Sequence, residues 1–94
     1  MIIIRSFRHK GLKRLYEEDD RRGVVAEHVT KLRNILARLD AAYSVEDMNL
    51  PGFKLHQLKG DLSGFWAVTV RANWRVAFRF VENHAFDVDY LDYH

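Results

Sequence analysis

The stretch WAVTVRANWRVAFRFVENHAFDVDY, residues 66–90, decides the fold because apolar side chains recur at every second position along three successive runs. The recurring apolar positions are Trp66, Val68 and Val70, then Trp74, Val76, Phe78 and Phe80, and finally Phe86, Val88 and Tyr90. A period of two is typical of β-strands with one buried face. The connections, residues 71–73 and 82–84, are short enough to predict an antiparallel meander.

A further strand is predicted upstream, where Phe53 and Leu55 alternate with Lys54 and His56. It joins the meander through residues 60–64, which contain two glycines. Trp66, Trp74 and the inward phenylalanines are interpreted as core residues rather than as platforms for stacking bases. Residues 44–52, which include the single proline, form an irregular link where the apolar period changes.

The N-terminal half predicts two helices. Leu12, Leu15 and Tyr16 have helical spacing within residues 10–19, and the acidic end of this segment predicts that the helix stops before Asp20. A longer amphipathic helix is predicted over residues 24–42, where the apolar positions step by four and three. Those positions are Val25, Val29, Leu32, Leu36 and Leu39.

The predicted fold class is α+β, with the two helices packed on one face of a mostly antiparallel sheet. A β-branched run at residues 2–4 predicts an additional first strand that ends near Ser6. The length of 94 residues and mass of 11.1 kDa predict a single domain that spans residues 1–94. A core of this size leaves little room for an enclosed cofactor, so we expect a surface site and no cofactor.

The composition excludes several classes of protein. There is no cysteine, which rules out disulfide frameworks, thiol nucleophiles and cysteine-ligated zinc. The apolar run at residues 1–4 is interrupted by Arg5, far short of the roughly 18 residues that a membrane span requires. We therefore expect a cytoplasmic protein.

Charge is small in total but unevenly distributed. The net charge is +2, and residues 1–14 hold five basic side chains and no acidic one. Residues 52–81 hold five basic side chains against Asp61, whereas residues 82–94 hold four acidic side chains and no Lys or Arg. The simplest interpretation is that opposite charges match across antiparallel strands, and the alternative is a basic surface for nucleic acid.

Strand register brings potential chemistry to one face. If Phe53 and Leu55 point toward the helices, His56 and the outward arginines of the next strands point away from them. The side chains expected on or beside that face are Lys54, His56, Lys59, Arg75, Arg79 and, from the returning C-terminus, Asp92, Tyr93 and His94.

Imidazole, phenol and fixed cations are suited to cleaving a ribonucleic acid phosphodiester. The ribose 2′-hydroxyl needs a base, the leaving 5′-oxygen needs an acid, and the phosphorane needs positive charge. The competing interpretation is that the histidine and cations are ordinary solvated surface groups. A zinc site is disfavoured because no pair of histidines has ligand spacing within one element, and His9, His28 and His84 are assigned no role.

Four motifs resemble one family of bacterial proteins. They are SFRHKGL at residues 6–12, KLHQLKG at 54–60, VRANWR at 70–75 and DYLDYH at 89–94. In this order and spacing they resemble the HigB type of toxin, within the RelE/ParE superfamily of type II toxin–antitoxin systems. The resemblance covers nearly the whole chain.

The resemblance implies a toxin that enters the ribosomal A site, cleaves the mRNA and halts translation. It also implies a HigA-type helix-turn-helix antitoxin, with DNA contacted only through that antitoxin. By position, the resemblance assigns catalysis to His56, Lys59, Arg75 and Tyr93, flanked by Asp92 and His94, and RNA backbone contacts to Lys54, Arg71 and Arg79.

Basic residues near the N-terminus are expected to meet ribosomal RNA. Two other functions remain open at this point. One is inhibition of DNA gyrase without catalysis, as in ParE-like relatives on the same fold. The other is a plain RNA- or protein-binding domain.

Overall fold

Two α-helices precede the sheet in the computed structural model, which describes residues 4–93. Helix α1 spans Lys10–Glu18. It begins after His9, whose Nδ1 accepts the backbone N–H of Leu12 at 3.0 Å. It ends at Asp19, which has a left-handed φ of 55°. The prediction that this helix stops before Asp20 is confirmed.

Helix α2 spans Val29–Ala41 and begins later than predicted. Val25 is extended, with φ −66° and ψ 127°, and a 3-10 turn at Ala26–His28 leads into the helix. The backbone N–H of Val25 faces the Tyr90 hydroxyl at 3.4 Å, so a tertiary contact replaces the predicted first helical turn. No helix within residues 4–93 is long and apolar enough to cross a membrane.

Within residues 4–93, four strands form the sheet in sequential order, and all neighbours are antiparallel, which confirms the predicted meander. The strands are β1 His56–Gln57, β2 Trp66–Arg71, β3 Trp74–Val81 and β4 His84–Asp92. Strand β1 is shorter than predicted because Lys54, with φ 51°, interrupts the extended backbone before His56.

The N-terminal segment lies along the free edge of β4. Ile4 and Phe7 form parallel bridges with Ala85 and Val88. The strand predicted at residues 2–4 falls mainly outside the described residues, so only its last position is seen, as an isolated bridge.

The main core lies between the helices and one face of the sheet. Fully buried side chains from both layers meet there. They include Leu12, Leu32, Ile35 and Leu39 from the helices and Val68, Val76, Phe78 and Val88 from the strands. Trp66, Trp74 and Phe80 are partly buried against this core, as the alternation predicts. The helices therefore leave the opposite sheet face, here called the outer face, uncovered.

A β-bulge in β4 changes one predicted orientation. Ala77 pairs with Asp89 and Arg79 pairs with Phe86, so two residues of β4 oppose a single residue of β3. Asp87 adopts φ 54°, and its backbone N–H donates to Ser6 Oγ at 2.8 Å. Phe86 consequently shares the side of Arg79, and its predicted place on the inner face with Val88 is wrong.

Candidate active site on the outer sheet face

Cross-strand pairing brings His56 and Arg75 to the outer face. His56 pairs with Ala67, and Arg75 pairs with Thr69, the outward residue two positions further along β2. With neighbouring strands about 4.8 Å apart, β1 and β3 are separated by roughly 10 Å. The two side chains are thus too distant for direct contact.

Tyr93 reaches the same region from the end of β4. Its backbone N–H donates to the carbonyl of Asn73 at 2.8 Å, which extends the β3–β4 pairing by one residue. Leu91 pairs with Arg75, so alternation turns Tyr93 to the outer face, diagonal to Arg75. Diagonal neighbours have Cβ atoms about 7–8 Å apart. The phenol is 39% exposed and accessible to a substrate.

Asp92 does not share this orientation. It pairs with Trp74, whose ring stacks on Tyr90 in the helix-covered layer, so alternation directs Asp92 away from the outer face. His94 lies outside the described residues. The structure therefore brings together part of the C-terminal group expected from the sequence.

A turn at Lys54 sets the orientation of the His56 imidazole. Nδ1 of His56 lies 2.9 Å from the Lys54 carbonyl oxygen. Since a carbonyl can only accept, Nδ1 carries the proton and neutral His56 presents the lone pair of Nε2. The ring is exposed, so Nε2 is accessible to an incoming hydroxyl group.

The Arg75 guanidinium is held at the β2–β3 turn. Its Nη1 donates to the carbonyl of Ala72 at 2.6 Å and to that of Trp74 at 3.1 Å. Its Nε is buried and has no hydrogen-bond partner among residues 4–93. A buried N–H donor without an acceptor is unfavourable.

The other predicted cations differ in their surroundings. Lys54, Lys59 and Arg71 are exposed at the ends of β1 and β2, and Lys59 begins a 3-10 turn at Gly60–Leu62. Arg79 is instead paired with Asp87, with Nε 3.5 Å from a carboxylate oxygen. Arg79 therefore offers less uncompensated positive charge to RNA than the three exposed cations do.

A small apolar cluster on the outer face was missed by the sequence analysis. Leu58, Phe65, Ala67 and Ala77 are buried there, with Leu62 and Leu91 against them. The signal was available, because two alanines occupy outward positions where polar residues are usual in a solvated strand. This apolar cluster is packed on the outer face beside His56.

Behind the site, buried aromatic and imidazole rings connect the strand ends to the helices. The Tyr90 hydroxyl lies 2.6 Å from Nδ1 of His28, and the Trp74 ring stacks on Tyr90 with centroids 4.5 Å apart. Burial raises the pKa of the Tyr90 phenol, and the charge of Asp92 acts in the same direction. These contacts anchor β3 and β4 directly behind Arg75 and Tyr93.

Among residues 4–93, surface cavities lie beside the helices rather than on this face. An open cavity of about 640 Å³ lies by the helices, lined by Ile4, Arg5, Tyr16, Glu17 and Asp40. Within residues 4–93, no group of three or more His, Asp or Glu side chains is arranged to hold a metal ion. The outer face presents the imidazole of His56, the guanidinium of Arg75 and the phenol of Tyr93.

Known protein families and solved structures include matches to this chain. A family model described as "RelE-like toxin of type II toxin-antitoxin system HigB" matches residues 5–94. A solved structure of the YoeB-YefM complex from Staphylococcus aureus has a TM-score of 0.63 and 18% identity, covering 100% of this chain and 98% of that one. The fold is therefore RelE-like.

Two curated relatives are similar in sequence. The chain is 45% identical over 92 residues to Endoribonuclease HigB of Proteus vulgaris, covering 98% of this chain and 100% of the relative. It is 32% identical over 91 residues to Toxin HigB-1 of Vibrio cholerae serotype O1, covering 95% of each. The chain belongs to the HigB-like toxin family of type II toxin–antitoxin systems, and such a toxin has an antitoxin partner.

Proposed function

We propose that this toxin is a ribosome-dependent endoribonuclease that cleaves mRNA in the ribosomal A site and so inhibits translation. The cut proceeds by attack of the ribose 2′-hydroxyl on the adjacent phosphodiester, with no metal ion taking part. The observation that carries the proposal is the shared outer face of His56, Arg75 and Tyr93. The 45% identity to an endoribonuclease supports the same conclusion.

His56 is assigned the role of general base. Its Nδ1 proton is engaged by the Lys54 carbonyl, which leaves Nε2 as the acceptor for the 2′-hydroxyl proton. The Lys54 turn thus matters to the chemistry through its backbone, in addition to any contact of its ammonium with RNA.

Arg75 and Lys59 stabilise the negative charge that develops on the phosphorane. Arg75 is held by two carbonyls before substrate arrives, so little reorganisation is needed during the reaction. A preorganised donor of this kind contributes about 3–4 kcal/mol to transition-state stabilisation in other enzymes. Lys59 supplies a second exposed cation, and Lys54 and Arg71 hold the RNA backbone.

Tyr93 is assigned proton donation to the leaving 5′-oxygen. Its phenol is exposed on the Arg75 side of the outer face, with β2 and β3 lying between it and His56. Asp92 and His94 flank this residue in the sequence, and we propose that they support its placement. The reaction then uses side chains that meet the phosphodiester from two directions.

The test is cleavage of a defined mRNA on translating ribosomes. The purified toxin should produce a single A-site cut, and Arg75→Ala should reduce its rate by at least about 100-fold. Arg38→Ala is the matched control, because Arg38 is exposed on α2 in the helix layer. Circular dichroism of each variant establishes that the fold is retained.

Other outcomes would contradict the proposal. Equal cutting of ribosome-free RNA would refute ribosome dependence. Growth arrest by the His56→Ala and Tyr93→Phe variants at wild-type potency would indicate inhibition without catalysis, as for a gyrase inhibitor. We further propose that a HigA-type helix-turn-helix protein is the antitoxin, and adding it in equimolar amount should abolish cutting.

A further inference from the structure

Arg8 lies on the outer face, although it belongs to the N-terminal segment. Phe7 bridges Val88 and packs against the main core, so the next side chain points away from the helices. The backbone N–H of Arg8 donates to the Val88 carbonyl at 2.9 Å, which fixes this orientation. Arg8 is thus separate from the basic side chains of α1.

The Arg8 guanidinium rests over the ring of Phe65. Its central carbon is 4.8 Å from the ring centroid, within the range of a cation–π interaction. Phe65 precedes β2, so the side chain of Arg8 reaches across the sheet from the far edge of β4. The small side chains of Ala67 and Ala77 leave room for this crossing.

The guanidinium donors of Arg8 are available. Within residues 4–93, no carboxylate forms an ion pair with Arg8 and no hydrogen bond uses its side chain. The carboxylate of Asp89 accepts the backbone N–H of Tyr90 at 2.9 Å. An exposed guanidinium fixed on a ring and lacking an anionic partner is well suited to bind a phosphate.

Arg8 is also close to the proposed reaction centre. Phe65 stands two residues before Ala67, the partner of His56, so Phe65 and His56 are diagonal neighbours on this face. Such neighbours are about 7–8 Å apart, so the Arg8 guanidinium over the Phe65 ring lies on the His56 side of the outer face. A phosphate held by Arg8 would therefore be next to the phosphate attacked beside His56.

We propose that Arg8 is an RNA-binding residue of the active face and contacts the substrate phosphate adjacent to the cleaved one. The assignment rests on the proposed function and adds a substrate contact to it. Phe65 acts as the platform that keeps the guanidinium in place before RNA binds.

The test combines Arg8→Ala with mRNAs in which single phosphates flanking the cut are neutral methylphosphonates. Cleavage is measured on programmed ribosomes at subsaturating toxin. For the wild type, neutralising one flanking phosphate should slow cutting about tenfold, the usual effect of one charge-assisted contact. Arg8→Ala should be about tenfold slower on unmodified mRNA and should lose no further rate on that methylphosphonate.

Arg38→Ala again serves as the control, and it should respond to every methylphosphonate as the wild type does. Additive losses at all positions would overturn the assignment, because Arg8 would then act on ribosomal RNA, on a base or on folding. An unchanged rate for Arg8→Ala would overturn it as well. If the wild type itself fails to cut, the proposed function falls and this assignment falls with it.

Discussion

Among residues 4–93, the buried side-chain nitrogen and oxygen atoms have hydrogen-bond partners except for Nε of Arg75. The Tyr90 hydroxyl, for example, forms hydrogen bonds with both the backbone N–H of Val25 and Nδ1 of His28. Because the N–H must donate, the phenol oxygen accepts from Val25, and the direction of its hydrogen bond with His28 Nδ1 follows the imidazole tautomer. Arg75 is the opposite case, with its Nε buried and unpartnered among residues 4–93.

Tyr90→Phe should therefore destabilise the protein measurably. The substitution leaves the Val25 N–H and the buried His28 Nδ1 without their common partner, at an expected cost of about 1–3 kcal/mol. Urea denaturation measures the change in the free energy of unfolding. Tyr43→Phe is the control, since Tyr43 is 79% exposed and should change nothing. If Tyr90→Phe changed the free energy of unfolding as little as Tyr43→Phe does, the hydrogen bonds of the Tyr90 hydroxyl would not be stabilising.

At the scale of elements, alternation predicted β2, β3 and most of β4 because each has one face on the core. The sequence did not reveal the short β1, the late start of α2 or the bulge at Asp87. Each of these depends on backbone conformation set by distant contacts, such as the Ser6 hydroxyl that accepts the Asp87 N–H. Local periodicity does not encode such contacts.

Gly11 lies in α1 and packs closely against Gly23, in the loop that precedes α2. A Cβ atom at Gly11 would lie 2.4 Å from the Gly23 carbonyl oxygen and 2.9 Å from its Cα, and both are backbone atoms that cannot swing aside. Gly11→Ala should thus destabilise the fold by about 2 kcal/mol, despite the better helix propensity of alanine. Thermal unfolding tests this, with the exposed Lys13→Ala of the same helix as control. Stabilisation by Gly11→Ala would contradict the close packing.

Tyr16 links the two helices by donating to Asp40 Oδ1 at 2.7 Å. Burial, followed by the hydrogen bond and the charge of Asp40, raises the pKa of the Tyr16 phenol. A raised folded-state pKa stabilises the fold below the unfolded value of about 10 and loses that contribution as pH rises above it.

Wild-type stability should accordingly fall above about pH 10 more steeply than that of Tyr16→Phe, which lacks the titrating group. At neutral pH the variant should be less stable by about 1 kcal/mol, the usual value of one hydrogen bond. Guanidinium denaturation across this pH range measures both differences. Parallel pH profiles for the two proteins would show that Tyr16 does not carry the effect.

At the scale of the whole molecule, the two faces of the sheet carry different kinds of side chain. The helices and main core stabilise one face, and the other carries His56, Arg75 and Tyr93. The sequence could assign these residues to one face because side-chain direction follows from strand register. It could not reveal Arg8, whose position depends on a ring contact with Phe65 between distant parts of the chain.

Removal of residues 93–94 should abolish cleavage while lowering the melting temperature only slightly. Tyr93 contributes one backbone hydrogen bond, to Asn73, and is exposed, so its loss should cost about 1 kcal/mol or less. Ribosome cleavage and thermal unfolding of the same truncated protein test the two halves of this prediction. A large loss of stability would show that the C-terminus is structural.

The central claim is that side chains on the outer face promote attack by the ribose 2′-hydroxyl. The most direct measurement uses programmed ribosomes and an mRNA with a single 2′-deoxy nucleotide at the cut position. The account predicts that the ribose mRNA is cut to a 2′,3′-cyclic phosphate end and that the deoxy mRNA is not cut there. Equal cutting of both mRNAs would contradict it.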